Sequence, residues 1–219
     1  WLPLSRGLGD VYKRQEYEEA LRPFQGSPYF RTLSKLSLGS LPACDELETI
    51  LTHDFYRGVV GAMAKKVGDD KAAMNFLHGE INYVNICTLL SARTSGVSPE
   101  VAMAQIVPEG KWASEEKVRE LAAAPDSERL LEQLRRFFGA GRFSRMETGP
   151  NPDVSAVERA AARALYGCAR AALRAGIPTP ACLLGYLLCL ETEGRNLWSL
   201  AAAHGADFTK DEIRSMLVA

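Results

Sequence analysis

Two stretches of the chain hold the residue types from which sites are built. HGEINYVNICTLLSAR sets His78, Glu80, Asn85 and Arg93 into otherwise apolar text, and LLCLETEGRNLWSL does the same with Glu191, Glu193, Arg195 and Asn196. A histidine beside an acid is material for proton transfer. Acids, amides and arginines are also what helices use to fix themselves to neighbours. Spacing separates the two uses. His78 and Glu80 lie two apart, and on a helix i, i+2 side chains point in different directions. Glu191 and Arg195 are spaced i, i+4, and Glu193 and Asn196 i, i+3, so each of those pairs shares a face. In buried helix such groups must be satisfied, because an unpartnered buried charge costs about 3–5 kcal/mol. Bracing of each helix against its neighbours or a helix end is the first reading, and contact with a partner protein the second.

The templates of catalysis do not fit. His53, His78 and His204 stand alone, outside any HExxH. No glycine-rich phosphate loop follows a strand, and no GxSxG elbow occurs. Cys168, beside Gly167, has no nearby histidine to activate it. No catalytic residue, cofactor, metal ligand or small-molecule substrate is therefore expected. The formal net charge of −1 argues against a nucleic-acid binder, which needs a basic surplus to neutralise phosphates. The 219 residues suffice for a sizeable core, and 47% hydrophobic with 24% charged residues is ordinary globular composition. The cysteines, Cys44, Cys87, Cys168, Cys182 and Cys189, are odd in number and form no CxxC. They are expected as reduced core cysteines of a cytoplasmic protein. The apolar run ACLLGYLLCL, residues 181–190, is shorter than the roughly 20 residues of a membrane span and is expected to be buried helix.

The elements that must position these residues read as helix throughout. Residues 16–24 have helical composition up to Pro23, and a short helix follows the turn residues of GSPYFRTLSKL. In the helix of residues 41–66, Leu47, Ile50, Leu51, Phe55, Val59 and Met63 form a stripe at three- and four-residue spacing. Gly68, Asp69 and Asp70 mark a turn before a helix over 71–93. Ser98 is expected to cap a short helix that has Pro99 at its first position, and Ser114 to cap SEEKVRELAAA beyond a loop at 108–113. A helix from Asp126 or Ser127 breaks at Gly139 and Gly141, and METGPNP, residues 146–152, reads as a linker. Helices over 153–175 and 179–204, split by Gly176 and Pro178, precede a last one from Thr209.

The chain also repeats itself. LRPFQGSPYFRTL and LRRFFGAGRFSRM begin 113 residues apart and match Phe24 to Phe137, Gly26 to Gly139 and Phe30 to Phe143. Glu48 and Tyr56 match Glu158 and Tyr166 at an offset of 110. Glu80, Asn85, Leu89 and Ala92 match Glu191, Asn196, Leu200 and Ala203 at 111. Three segments in one order at a near-constant offset imply a duplicated helical domain of about 110 residues rather than a short solenoid repeat. The expected layout is the end of a first repeat at 16–36, a second at 37–146 and a third at 147–219. The opening WLPLSRGLGDVYKRQ has no Met and resembles translated adapter sequence, so residues 1–15 are expected to be a non-native leader.

These motifs together resemble the C-type subunit of the V-type and archaeal-type (A-type) ATPases and ATP synthases, whose vacuolar counterpart carries the letter d. EINYVNICTLLSARTSGVSPE resembles that family's pattern of an acid, Asn, Leu-Leu and Ala-Arg followed by a Gly-x-Ser-Pro-Glu turn. LLCLETEGRNLWSL resembles its E-x-E-x-R-N motif, and FTKDEIRSMLV its closing helix. The resemblance implies an all-α fold, with three similar domains in a pseudo-threefold funnel in the complete family member. It implies a non-catalytic central-stalk protein that couples the proteolipid rotor ring to the central stalk for ion transport and ATP synthesis or hydrolysis. The implied partners are central-stalk subunits of D and F type and the ring, and the implied place is the cytoplasmic face of the membrane, held peripherally through the ring. Glu80, Asn85, Leu89 and Arg93 carry over from the middle-domain motif, and Glu191, Glu193, Arg195 and Asn196 from the last. Cys87, Ser91 and Trp198 stand where basic residues are usual, and Asn82 where an acid is usual. Two other readings compete: a free-standing helical scaffold or adaptor, and an α-helical enzyme using His78 and Glu80.

Overall fold

The computed structural model describes residues 17–36, 42–67, 70–110, 114–138, 142–174, 179–204 and 208–218. Every regular element among the described residues is helical. They are α1 (Phe30–Leu33), α2 (Cys44–Val67), α3 (Lys71–Thr94), α4 (Pro99–Gln105), α5 (Glu115–Ala122), α6 (Ser127–Phe138), α7 (Val154–Arg174), α8 (Pro180–Ala203) and α9 (Lys210–Met216), with single 3-10 turns at Arg22–Phe24, Pro108–Gly110 and Arg142–Arg145.

The helix starts are the expected ones. Ser98, Ser114 and Thr209 each accept a hydrogen bond from the backbone three residues on, and Asp70 accepts from Ala72 and Ala73. These side chains satisfy amides that a helix start leaves without carbonyl partners. As expected, the helix of residues 17–21 stops before Pro23, passing into the Arg22–Phe24 turn. One expectation shifts: residues 108–110 of the expected loop are a 3-10 turn. The breaks assigned to Gly68, Gly139, Gly141, Gly176 and Pro178, and the leader at 1–15, lie outside the described residues.

The chain divides within α2 into two compact units, one ending at Val59 and the other running from Val60. In the first, the Tyr17 hydroxyl donates to the Leu33 carbonyl at 2.8 Å, and the Thr32 hydroxyl donates to Asp54. Tyr29 stacks on Phe55 with ring centroids 6.3 Å apart.

The second unit is built around α3. Ten of its residues are buried, and it packs against α7, α8, α4, α5 and the Pro108–Gly110 turn. Ile86, Leu89 and Leu90 share one core with Val118, Leu121, Leu131 and Leu134 of α5 and α6 and with Val157, Ala161 and Leu165 of α7. The buried face of α7 is mostly alanine, which lets helices approach closely. At the α7–α8 crossing, a Cβ on Gly185 would lie 2.7 Å from the Ala169 carbonyl oxygen, so only glycine fits there. Met146, at the start of the expected linker, is buried, and its carbonyl accepts from Arg135.

Two expectations about burial are corrected. Of the cysteines, Cys189 is buried and Cys87, Cys168 and Cys182 are half-buried, but Cys44, at the first position of α2, is exposed. All five are free thiols. The run at 181–190 is not a buried helix. Ala181, Gly185 and Cys189 are buried, yet Leu183 is 60% exposed, Tyr186 50%, Leu187 52% and Leu190 46%. An apolar surface on all sides buries a helix only where neighbours meet every side, and here one side is open.

Candidate functional site: two amide clamps

Asn85 is fully buried in α3, and both ends of its amide are used on one residue. Its Nδ2 donates to the Val107 carbonyl at 3.0 Å, and its Oδ1 accepts from the Val107 amide at 2.8 Å. The side chain pairs with Val107 as a neighbouring strand would, and pins the chain leaving α4 to the middle of α3. The approach is tight. A Cβ on Gly110 would sit 2.9 Å from Asn85 Nδ2 and 3.0 Å from Asn82 Oδ1, so the turn needs glycine at that point.

Asn196 makes the same pair of bonds. Its Nδ2 donates to the Val218 carbonyl at 2.8 Å, and its Oδ1 accepts from the Val218 amide at 2.9 Å. In each case the clamped valine lies 22 residues on. Between lie a hydroxyl N-cap, Ser98 or Thr209, and a seven-residue helix, α4 or α9. Each short helix ends in an extended residue, Ile106 or Leu217. All these equivalent positions are 111 apart. The two clamps differ in burial: Val107 is 1% exposed, whereas Asn196 and Val218 are half-buried.

The other residues singled out from sequence divide by environment. Leu89 lies in the core. Arg93, at the last turn of α3, donates to the Ala124 carbonyl between α5 and α6. Glu80 is half-buried on α3. Glu191 and Arg195 form the expected i, i+4 pair at 2.6 Å, with both side chains more than half exposed. Glu193 is exposed. The structure thus gathers Asn85, Leu89 and Arg93 into the interior and leaves Glu191, Glu193 and Arg195 at the surface. His78 and Glu80 are both half-buried, and their spacing on α3 does not turn them to one face.

A small cross-helix cluster has no signature in the sequence. Tyr83 and Cys87 of α3 lie close enough to act on each other, and the charges of Arg195 and Glu158 act on both. Burial pushes the Cys87 thiol from the ordinary 9.0 up to about 11, against the lowering pull of Tyr83. Tyr83 is raised too, first by burial and then by Cys87. Burial opposes the Arg195 charge, but Glu191 and Tyr83 outweigh it and hold that charge more firmly than usual. Neutral Tyr83 and Cys87 beside a fixed guanidinium make a structural tie between α3 and α8. Among the described residues no group of three or more His, Cys, Asp or Glu is placed to hold a metal ion.

The same clamp thus closes two helical segments of the chain. Residues 6–216 match the ATP synthase (C/AC39) subunit family. The chain belongs to that family. Over 116 residues it is 28% identical to the C-type subunit of the A-type ATP synthase of Archaeoglobus fulgidus, an alignment covering 53% of this chain and 33% of that protein. The match thus spans about a third of the curated relative's length. No solved structure matches the chain. Among the described residues no helix is long and apolar enough to cross a membrane.

Proposed function

We propose that this chain forms part of the non-catalytic coupling subunit of a V/A-type rotary ATPase. In that role it joins the proteolipid rotor ring to central-stalk subunits of D and F type, at the cytoplasmic face of the membrane. Family membership over residues 6–216 carries the reading. The clamps say what such a part needs mechanically. A torque-bearing connector must resist shear between helices, and a two-point amide clamp fixes both position and register where apolar packing alone would permit sliding.

The same reading takes the chain as the end of one helical repeat (16–36), a second (37–146) and a third (147–219). Identical clamps at Asn85–Val107 and Asn196–Val218 support it. So does the way α7, from the third repeat, packs on α3, from the second. That contact also explains why compact units and repeats need not share boundaries. Glu80, Asn85, Leu89, Arg93, Asn196 and the Glu191–Arg195 pair act in this proposal as bracing residues, and Glu193 as a surface acid open to a partner.

The test is co-purification. The protein carrying this chain, tagged and mixed with detergent-solubilised ring and with D- and F-type subunits, is expected to retain both. Retention of neither, by a protein whose circular dichroism shows it folded, would refute the motor role and favour a free-standing scaffold.

A further inference from the structure

We propose that the cavity between the Arg142–Arg145 turn and α7 binds the phosphate group of a small molecule through Arg142, Arg145 and Arg163. The proposal rests on the charge and shape of that cavity, not on the motor role. The cavity has a volume of about 320 Å³, and the three arginines line it together with Glu147, Ala164 and Gly167. Small-molecule pockets begin at about 300 Å³, so a phosphate and the first atoms of its carrier fit.

The backbone brings the guanidinium groups together. Arg142 and Arg145 open and close one 3-10 turn, where side chains three apart eclipse. Arg142 lies over bare backbone of α7: a Cβ on Gly167 would sit 3.4 Å from its Nη1 and 3.7 Å from its Cδ. Arg163 donates through Nη2 to the Ser215 carbonyl at 3.3 Å and the Leu217 carbonyl at 3.0 Å. Neutral carbonyls hold the group in place and leave its charge uncancelled. Arginines elsewhere hold carboxylates, as Arg119 holds Glu115 and Arg136 holds Glu120. Among the described residues no carboxylate pairs with Arg142, Arg145 or Arg163, and Glu147 is the one acid of the lining. Guanidinium groups around one cavity repel each other. A phosphate relieves that repulsion, and its several oxygens accept paired N–H bonds from the planar forks.

The internal repeat isolates the same residues. The alignment that matches Phe30 to Phe143 and Tyr56 to Tyr166 sets Arg142, Arg145 and Arg163 against Tyr29, Thr32 and His53. It sets Ala164 and Gly167 against Asp54 and Arg57. In the earlier segment the Thr32 hydroxyl donates to Asp54. In the later one an arginine stands for the hydroxyl and an alanine for the acid that would have neutralised it. The earlier segment folds without these arginines, so the repeated architecture does not require them, and anion binding gives them a use.

The test titrates pyrophosphate into the protein carrying this chain, followed by calorimetry at low salt. Saturable binding is expected, weakened about tenfold by Arg142→Gln or Arg145→Gln, each of which removes a charge-assisted pair. Arg136→Gln removes an equal charge outside the cavity and should leave the affinity within about twofold. Ala164→Asp, which restores the acid of the earlier segment, should abolish binding in a protein whose circular dichroism shows it folded. Flotation with phosphatidylcholine vesicles, with and without phosphatidic acid, separates the sources. Retention on the acidic vesicles, competed by pyrophosphate and lost in Arg145→Gln, supports a lipid headgroup as the ligand. Pyrophosphate binding without retention supports a soluble phosphate compound. No saturable binding would overturn the proposal, and with a lowered unfolding midpoint in Arg145→Gln it would give the cavity to a carboxylate of the same protein. Equal weakening by Arg136→Gln and Arg145→Gln, the mark of diffuse charge, would overturn it too. Neither result bears on retention by the ring and stalk.

Discussion

Replacing Asn85 separates a clamp from a merely compatible polar residue. Asn85→Ala removes two hydrogen bonds and strands the N–H of Val107, a residue 1% exposed, while the Val107 carbonyl keeps the Gly110 amide. Each bond contributes about 1 kcal/mol net, and the stranded buried amide costs about 1–3. These overlap, so the sum is about 2–4 kcal/mol. Asn196→Ala removes the same two bonds from a half-buried site, where water replaces the lost partner, and costs about 1 kcal/mol. Asn85→Asp is the sharper variant. It keeps an acceptor for the Val107 amide but sets a buried carboxylate against the Val107 carbonyl, and should cost no less than alanine. Urea unfolding followed by far-UV circular dichroism reads the difference as a midpoint fall of about 1–2 M for Asn85→Ala. Amide exchange at Val107 reads it locally. A loss below about 0.5 kcal/mol at Asn85, or equal losses at Asn85 and Asn196, would refute the argument.

Further outcomes follow from the same geometry. Gly110→Ala presses a methyl into Asn85 and Asn82 and should cost about 1–3 kcal/mol in the same urea assay. Thr209→Ala removes the hydroxyl half of a capping box, leaving Glu212 to accept only from the backbone amide of residue 209, and should cost about 1 kcal/mol, seen as faster amide exchange in α9, with Thr209→Asp restoring most of it. Arg195→Ala breaks an exposed ion pair with Glu191 worth about 0.3–0.5 kcal/mol, so any larger loss on unfolding reports its interaction with Tyr83. The raised Cys87 pKa sets a pH dependence. The unfolded thiol ionises near pH 9 and the folded one near 11, so the unfolded chain holds fewer protons in between and stability falls across that window, by about 2 kcal/mol. Cys87→Ser should flatten that part of the pH–stability curve, leaving the fall from Tyr83 at higher pH.

The helices were legible because their caps and periods are local. Ser98, Ser114 and Thr209 mark starts that no distant contact overrides. The spacing of Glu191 and Arg195 also gave their pairing correctly. The clamps were half legible. The offset of 111 matched Asn85 to Asn196, and carrying it on would have matched Val107 to Val218, but nothing at a valine announces that its backbone is held by a side chain 22 residues back. Exposure was the least legible. ACLLGYLLCL reads alike whether covered on one side or on all, because periodicity records which faces are apolar and not whether a neighbour arrives. The Tyr83–Cys87–Arg195 tie was hidden because it joins helices about 110 residues apart in the chain.

The most direct test of the coupling role is to locate the chain in the assembled motor. The protein carrying it, with a bulky tag fused beyond Ala219, is expressed in place of the host's own coupling subunit, and the purified rotary ATPase is imaged by electron microscopy. Tag density is expected at the joint between the proteolipid ring and the central stalk, with ion pumping still driven by ATP hydrolysis. An intact motor without the tag, or with the tag on the outer stator, would contradict it.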